Sequence, residues 1–333
     1  MQKIYDITEF TYKREITDRF LYPFYTLNKL TGGAEVGNLN ILFAKTNQGK
    51  SEMCMQFMCN WIRDGYKVCA MLGEHTMRKA QGLLYKKVST FNKETWETKR
   101  LDHNNKFTGI SETFISEEDE QKAIELFKDH LFLYDTRNGF RLEDVLLGFE
   151  EGFKKGCKLF VLDNGMMLDL ETNNELQEQK DNVEKLRQWA KNHQVVVFLI
   201  LHARKVEYSR IRLNEYDIAG SSNIPNKGTT IMYVTRTDLL NPATTEYKEY
   251  AKLLELNDID INECDAVIEV VKEKNGRCGF VPLKWYESTK TYREVYNPEQ
   301  DKKEEVKPVR FLDDDQIVEV TNKETINIID DIF

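Results

Sequence analysis

The 333 residues carry a net charge of -9 at pH 7, and 41% of them are hydrophobic. A chain of this length and composition can bury a substantial core in one large α/β domain with appendages, without disulfide staples. No apolar targeting segment follows Met1, and no stretch approaches the roughly 18 to 20 apolar residues of a membrane span. These features exclude a membrane-spanning protein and predict a soluble one.

The distribution of charge and cysteine bears on partners and compartment. Residues 299–333 contain eleven acidic and five basic residues and hold -6 of the net charge, which leaves only -3 for the rest of the chain. A nearly neutral body can still carry a local basic surface for nucleic acid. The six cysteines form no C-x-x-C pair, which is typical of reduced thiols in a cytoplasmic protein.

Short apolar runs alternate with longer amphipathic stretches along most of the chain. Strands are predicted at residues 38–43, 67–72, 131–134, 158–162 and 195–201. Between residues 175 and 193 the apolar positions recur near the helical period, which predicts a crossover helix. The alternation predicts an α/β fold, with a mostly parallel twisted sheet and helices on both faces. Residues 266–271 and 279–285 bracket a glycine-containing turn and predict a C-terminal hairpin.

Three segments without this alternation define the predicted domain boundaries. Residues 1–35 mix aromatic and charged side chains without a clear period, and we expect an N-terminal arm or linker. Residues 36–297 form the predicted α/β domain, in which the polar residues 92–122 are an insertion or flexible connection. Residues 298–333 form an acidic tail that is expected to be flexible.

A phosphate-binding loop joins the first predicted strand to the helix that follows. Its residues are Ala44, Lys45, Thr46, Asn47, Gln48, Gly49, Lys50 and Ser51. In this context Gly49 lets the backbone approach a phosphate, Lys50 reaches the β and γ oxygens, and Ser51 can ligate Mg²⁺. Ala44 replaces the first glycine of the usual motif, which is tolerable if its φ is negative. The loop predicts a nucleotide-binding domain of the P-loop class.

Two acidic residues at strand ends are suited to nucleotide hydrolysis, which requires a group that orients water and a group that supports the metal. Glu74 follows the strand at 67–72, and Asp163 ends the strand at 158–162. Either residue could instead be a helix N-cap. Their paired placement at strand ends favours a function in hydrolysis.

The ordered series of motifs resembles the RecA-like replicative helicases of the DnaB family, and most of all the helicase half of bacteriophage primase-helicases, over about residues 24–290. An alanine at the first position of the loop is frequent in DnaB-type proteins. By this resemblance Glu74 is the catalytic glutamate that polarises water, Asp163 is the Walker B aspartate, and His202 senses the γ-phosphate. The resemblance implies ATP and Mg²⁺ as cofactors, and a bacteriophage protein in the cytoplasm of a bacterial host.

The predicted C-terminal hairpin carries the most diagnostic part of the resemblance. Residues 272–279 read K-E-K-N-G-R-C-G, which is similar to the K-x-R-N-G-x-x-G finger motif that contacts the γ-phosphate held by a neighbouring subunit. The resemblance makes Lys272 and Lys274 catalytic. Lys274 stands in place of the finger arginine and keeps its charge without the planar fork. Arg277 is the alternative finger residue.

Further positions match contacts to the base and to DNA. Arg236 and Tyr286 match positions that contact the adenine in the phage enzymes. Residues 217–224 follow the family's D-L-R-[EG]-S-G-x-[IL] block at equal spacing. The residues of this block that we predict at the DNA are Gly220, Ser221 and Ser222.

A basic segment follows His202, where residues 203–212 include four basic side chains and one acidic one. In the family the matching loop lines a central channel and holds the backbone of single-stranded DNA. The predicted DNA-binding cations are Arg204, Lys205, Arg210 and Arg212. Such a ring of loops would attract phosphates without reading sequence. The alternative is a solvated surface loop.

Together these features predict an ATP-dependent replicative DNA helicase that assembles with itself as a ring, a hexamer, and hydrolyses ATP at subunit junctions. One alternative is a RecA-type recombination or repair ATPase that forms filaments. The other is a loader or scaffold that binds ATP without hydrolysing it. The acidic, phenylalanine-terminated tail resembles tails that dock onto a DNA polymerase, primase or other replisome protein; a disordered solubilising tail is the alternative.

Overall fold

The computed structural model describes residues 18–89, 94–101, 107–204, 212–295, 309–313 and 316–320. The strands are β1 (Arg19–Phe20), β2 (Ala34–Glu35), β3 (Leu39–Ala44), β4 (Val68–Leu72), β5 (Glu94–Leu101), β6 (Phe107–Phe114), β7 (Leu131–Leu133), β8 (Leu159–Asp163), β9 (Val196–His202), β10 (Thr230–Thr235), β11 (Ala266–Glu273), β12 (Gly279–Tyr286), β13 (Thr291–Glu294), β14 (Val309–Asp313) and β15 (Gln316–Val320). The α-helices are α1 (Tyr25–Thr31), α2 (Lys50–Arg63), α3 (Met77–Val88), α4 (Glu117–Phe127), α5 (Leu142–Lys154), α6 (Glu175–His193) and α7 (Thr245–Glu255).

The chain divides into two units, residues 1–295 and residues 296–333. A nine-stranded sheet organises the first unit, in the order β13-β12-β11-β10-β3-β9-β8-β4-β7. The strands from β10 to β7 pair in parallel, and β11, β12 and β13 extend the sheet in antiparallel fashion. The predicted α/β fold with its mostly parallel sheet and C-terminal hairpin is confirmed.

Side chains that alternate along each strand form a separate core on each face of the sheet. On β3, Leu42 and Ala44 pack into the core beneath α2, α3 and α4. Ile41 and Phe43 pack into the opposite core beneath α5 and α6. Because both faces are covered, the parallel strands are continuous apolar runs, which is why the sequence reveals them. In the part of the chain that the structure describes, no helix is both long and apolar enough to span a membrane.

Residues 19–35 pack against the domain. Tyr22 and Phe24 are buried in the same core as Phe57 of α2, and the rings of Tyr22 and Phe57 are 5.0 Å apart. This is a structural role that the predicted arm or linker did not include. Aromatic residues without a regular period gave no sign of it, because short elements bury side chains individually. Residues 1–17 lie outside the described part of the chain.

The polar segment predicted as an insertion contains regular structure. Strands β5 and β6 form a two-stranded antiparallel hairpin. Helix α4 then begins after Ser116, whose side chain accepts a hydrogen bond from the Asp119 N–H. Four acidic residues occupy the first turn of α4, where they favour the helix dipole, and this made a helix resemble a merely polar run.

The second unit contains the antiparallel pair of β14 and β15 within the segment predicted as an acidic tail. The final residues, Asp330-Asp331-Ile332-Phe333, on which the predicted replisome docking depends, lie outside the described part. That docking therefore stays a prediction.

Candidate nucleotide site

The predicted catalytic residues meet at one edge of the sheet. Strands β3, β9, β8 and β4 are successive neighbours and run parallel, so their carboxyl ends lie side by side. Residues 44–51 follow β3, Glu74 lies just after β4, Asp163 ends β8 and His202 ends β9. In open α/β sheets, ligands bind at this edge. The fold therefore gathers residues that lie far apart in the chain.

The phosphate-binding loop has the backbone that its sequence requires. Gly49 has φ 81° and caps α2, which begins at Lys50. Only glycine adopts this conformation without strain. Ala44 lies inside β3 and pairs with Val234 and His202, so the negative φ on which its tolerance depended is present. Since helix N-termini attract anions, the loop and the first turn of α2 form a site for phosphate.

Three polar side chains converge on one carboxylate oxygen, Oε1 of Glu74. The Lys50 ammonium donates to it at 2.9 Å and the Asn164 amide at 3.1 Å. The Nε2 atom of His202 lies 3.4 Å from the same oxygen. Burial by itself raises the pKa of Glu74, but the hydrogen bonds from Lys50 and Asn164 outweigh it and hold the pKa below its usual value. Glu74 is therefore ionised at neutral pH and can accept a proton.

His202 is held in its neutral form. Burial and the nearby Lys50 ammonium lower its pKa below the usual value, and Glu74 only partly opposes them. A neutral imidazole can accept a hydrogen bond through one nitrogen and donate one through the other. The side chain can therefore relay a change at a phosphate to the carboxylate beside it.

Ser51 and Asp163 form the candidate magnesium site. Asp163 is only 1% exposed, and neither its carboxylate oxygens nor the Ser51 hydroxyl has a hydrogen-bond partner of ordinary geometry among the described residues. Burial raises the pKa of Asp163 to about 6, although Ser51 and Lys50 lie near enough to oppose the shift. Oxygen ligands of this kind suit Mg²⁺, which shares its coordination with phosphate and water.

No group of three or more His, Cys, Asp or Glu side chains in the described ranges could hold a metal by itself. A metal bound by Ser51 and Asp163 would thus need oxygens from the nucleotide. The donor set fits the magnesium ion that accompanies a triphosphate.

The loop is tied to elements that come much later in the chain. The Lys45 ammonium bridges both carboxylate oxygens of Glu246 at the start of α7, at 2.7 and 2.9 Å. The Arg236 N–H donates to the Gln48 side chain at 2.6 Å. The hydroxyl of the buried Tyr292 lies only 2.8 Å from where a Cβ at Gly49 would stand. These contacts fix the loop from β10, α7 and β13.

The structure places Trp285, rather than Tyr286, beside the predicted adenine contact Arg236. The Arg236 guanidinium lies 6.0 Å from the centre of the Trp285 ring. The Tyr286 ring instead lies under the Arg293 guanidinium, at 4.3 Å. Successive side chains of a strand point to opposite faces, so the one-residue difference turns Tyr286 away from Arg236. The predicted contact of Tyr286 with adenine is not supported by this geometry.

The predicted finger residues lie at the opposite edge of the sheet. Glu273 pairs with Thr230, which pairs with Asn40 at the start of β3. The turn beyond Glu273 is therefore at least four residues, or about 13 Å, from the loop that follows Ala44. Lys274 is exposed there and cannot reach a nucleotide bound by its own loop.

The other two cations of the hairpin differ from each other. Lys272 is half-buried and its ammonium donates to the Pro225 carbonyl at 2.6 Å. Burial and the neighbouring Lys274 lower the pKa of Lys272. Arg277 is exposed, like Lys274. Lys272 is therefore engaged within its own chain, and Lys274 and Arg277 are the cations available to a neighbour.

Two of the predicted DNA-binding arginines are paired with buried carboxylates. Arg204 donates to Asp217 at 2.9 Å, and the Asp217 side chain is fully buried. Arg212 donates through Nε to Glu269 at 2.9 Å, and the Glu269 side chain is only 4% exposed. These arginines anchor the two ends of the basic segment. Lys205 and Arg210 lie outside the described residues, and their contact with DNA stays a prediction.

The predicted residues of the second DNA element are arranged as a tight turn. Gly220 is exposed with φ 96°, and a Cβ there would lie 2.5 Å from the Gln179 side chain. Ser221 is buried and Ser222 is exposed. Gly220 and Ser222 can therefore contact a ligand directly, whereas Ser221 supports the turn.

Sequence reasoning missed three residues of the site. Asn164 donates to Glu74, and its position directly after the Asp163 strand end was an available signal. Tyr292 and Glu246 lie beside the phosphate loop, although both come far later in the chain. No local pattern announces such contacts, because the fold alone creates them.

The sheet order, the glycine-capped loop and the strand-end carboxylates define a P-loop nucleotide-hydrolase domain of the RecA-like type. Residues 22–294 match the model of the DnaB-like helicase C terminal domain. The chain belongs to this family. Comparison with individually curated protein sequences finds no match.

Solved structures share the fold at low sequence identity. One is a DnaB-like replicative helicase, described together with its interactions with primase; it has 16% identity and a TM-score of 0.64. The alignment covers 82% of this chain and 61% of that one, so this chain spans less than two thirds of that helicase. The other is the ATPase domain of a phage helicase, with 15% identity, a TM-score of 0.66, and coverage of 83% of this chain and 91% of that one.

Proposed function

We propose that this chain is an ATP-dependent replicative DNA helicase, which assembles as a hexameric ring, hydrolyses ATP at subunit junctions and translocates on single-stranded DNA. The observation that carries the proposal is the separation of two complementary parts. The ionised Glu74 and its partners lie at one edge of the sheet, and the exposed Lys274 and Arg277 lie at the other. A head-to-tail ring joins such edges in every junction, because each interface is heterologous.

The residues at the junction have distinct tasks in this proposal. Lys50 leaves Glu74 to hold the β and γ phosphate oxygens, and Ser51 and Asp163 hold the metal. Glu74, once released, orients a water and accepts its proton. His202 contacts the γ-phosphate and reports its loss to Glu74. When bound, Mg²⁺ neutralises charge on the phosphate oxygens.

Arrival of a cation from the adjacent subunit completes the site. Lys274 would stabilise the charge that develops on the transferred phosphoryl group, as a finger residue does in trans. Its ammonium is a point charge without a bidentate fork, which predicts a lower turnover than arginine would give. The replacement Lys274→Arg should therefore raise hydrolysis, whereas Lys274→Ala should lower it by about 100-fold or more.

Mixing experiments distinguish Lys274 from Arg277 as the finger. A Lys274→Ala subunit keeps its own loop, and a Glu74→Gln subunit keeps its own hairpin. If Lys274 acts in trans, the two inactive variants recover hydrolysis when they are mixed, because some junctions then combine two intact halves. Recovery with Arg277→Ala, and full activity of Lys274→Ala alone, would assign the finger to Arg277.

The decisive test is strand displacement on a forked duplex with ATP and Mg²⁺, beside Lys50→Ala. We expect displacement by the natural sequence and none by the variant, with six-membered rings in electron micrographs. Filaments with DNA pairing activity would favour a recombination ATPase. Full function of a Glu74→Gln variant would favour a loader that does not hydrolyse ATP.

DNA binding is tested by separating the anchored cations from the others. We expect Lys205→Ala combined with Arg210→Ala to reduce the stimulation of hydrolysis by single-stranded DNA and to flatten its salt dependence. The matched control is Arg137→Ala, which removes one exposed cation elsewhere. Unchanged stimulation in the double variant would remove the basic segment from the DNA path.

A further inference from the structure

The turn between β11 and β12 is held by the N-terminal segment of its own chain. The Arg277 N–H donates to the Leu30 carbonyl at 2.8 Å. A Cβ built at Gly276 would overlap that same carbonyl oxygen, and one built at Gly279 would lie 2.8 Å from the Leu30 side chain. Leu30 therefore contacts both sides of the turn, and it does so at two glycines that allow the close approach.

Polar contacts brace the same turn. Glu273 accepts from the Asn275 N–H at 3.0 Å and from the Thr230 hydroxyl at 2.7 Å. The Asn275 amide reaches Glu35 at 3.4 Å, and Glu35 also accepts from Arg19 at 3.1 Å. The backbone and side chains near the tip of the turn are thus bound to the sheet and to residues 19–35, while Lys274 and Arg277 remain exposed.

The brace itself is anchored in the core beneath the phosphate loop. Tyr22 and Phe24, which precede α1, pack on Phe57 of α2 with ring centres 5.0 and 6.2 Å away. Helix α2 starts at Lys50 of the loop. One continuous set of packed residues therefore leads from the helix behind one nucleotide site to the hairpin that faces the next subunit.

We propose that residues 19–35 position the finger hairpin, with Leu30 as the positioning residue whose carbonyl and side chain set its approach to the neighbouring site. This inference rests on the proposed function, because the hairpin matters only if it acts in trans. Leu30 does not touch the nucleotide in this arrangement. It determines whether Lys274 or Arg277 reaches the γ-phosphate of the adjoining subunit.

The test is Gly276→Ala, which pushes the turn away from the Leu30 carbonyl. The φ of Gly276 lies outside the left-handed region, so alanine is locally allowed and the clash with Leu30 is the main consequence. We expect hydrolysis by the assembled protein to fall at least about tenfold. Binding of a fluorescent ATP analogue with Mg²⁺ should change less than about twofold, because the loop is untouched. The matched control is Gly82→Ala, since a Cβ at Gly82 meets nothing within 4 Å and should leave hydrolysis unchanged.

Complementation separates a displaced hairpin from a general defect. Gly276→Ala subunits mixed with Glu74→Gln subunits should recover hydrolysis, because intact loops then meet intact hairpins. If Gly276→Ala fails to fold, Gly279→Ala applies the same test through the more flexible Leu30 side chain, with a smaller loss expected. Thermal unfolding of each variant shows which applies.

Three results would overturn the inference. Full hydrolysis by Gly276→Ala would show that the contact with Leu30 does not set the hairpin. Failure of the Gly276→Ala mixture, while Lys274→Ala mixed with Glu74→Gln recovers, would place the defect in the variant's own site. Failure of the Lys274→Ala mixture as well, with Arg277→Ala failing likewise, would instead remove the trans-acting hairpin and the proposed function beneath it.

Discussion

The carboxyl edge of the parallel strands and the antiparallel extension formed by β11, β12 and β13 treat polar groups differently. At the carboxyl edge, the Ser51 hydroxyl, both Asp163 oxygens and Nδ1 of His202 are buried without a hydrogen-bond partner of ordinary geometry among the described residues. In the extension, Glu269 and Glu273 are each held by several donors. Buried polar groups cost free energy unless they are paired. The first region is therefore built for a ligand, and the second for rigidity.

The largest effect should come from Glu74→Gln, which tests whether the carboxyl edge performs chemistry. Loss of the ionised carboxylate should reduce ATP hydrolysis by about 10² to 10⁴-fold. Affinity for ATP and Mg²⁺ should be retained, because Lys50 and Ser51 are intact. The measurement is steady-state hydrolysis beside nucleotide titration. Equal loss of affinity and turnover would mean that Glu74 shapes the site and does not act in the reaction.

Arg212→Ala tests whether paired charges in the extension carry stability. It leaves the buried Glu269 with the Tyr250 hydroxyl but without its cation, and we expect a loss of about 2 to 3 kcal/mol in the free energy of unfolding. Denaturant unfolding measures it. Arg137→Ala is the control, since Arg137 is paired with Asp135 at the surface and its side chain is 88% exposed; its loss should be close to zero. Equal effects of the two would erase the contrast.

Asp163→Asn should separate function from stability at the carboxyl edge. An amide is cheaper to bury than a carboxylate without partners, so the nucleotide-free protein should gain about 1 to 2 kcal/mol in the free energy of unfolding. Hydrolysis should be lost, because metal support is removed. Thermal unfolding without nucleotide and hydrolysis with Mg²⁺ are the two measurements. A destabilised variant would show that the carboxylate is paired after all.

His202→Gln should have the smallest effect at about pH 7.5, with turnover within about threefold, because glutamine can also donate and accept hydrogen bonds. The pH profile is more telling. Because the pKa of His202 is lowered, the imidazole stays neutral at about pH 7 and is protonated only as the pH falls through that lowered value. Activity of the natural sequence should decline there, and the variant should lack this acidic limb. Identical profiles would exclude His202 titration from the reaction.

The site and the sheet could be predicted from the sequence where the signal is local. The apolar strands, the loop at residues 44–51 and the strand-end residues Glu74, Asp163 and His202 are each legible within a few positions. Parallel pairing then brings their ends together without further information. The side-chain period of a strand decided the one misplaced aromatic, since a shift from Trp285 to Tyr286 changes the face.

What could not be predicted depends on partners distant in the chain. Arg204 and Arg212 look like free cations because a sequence shows their charge but not the buried Asp217 and Glu269 that bind them. The support of the hairpin by Leu30 was hidden for the same reason. A backbone carbonyl and two glycines have no pattern that identifies a contact between them.

The strand that closes the sheet also closes the phosphate loop. The Gln56 side chain binds both backbone polar groups of Tyr292, at 2.7 Å each, and sets the Tyr292 hydroxyl against Gly49. The smallest fragment that retains a shielded loop must therefore extend past β13. A truncation after residue 295 keeps this lock, whereas one before residue 291 would open the floor of the loop to water, although every signature residue would still be present.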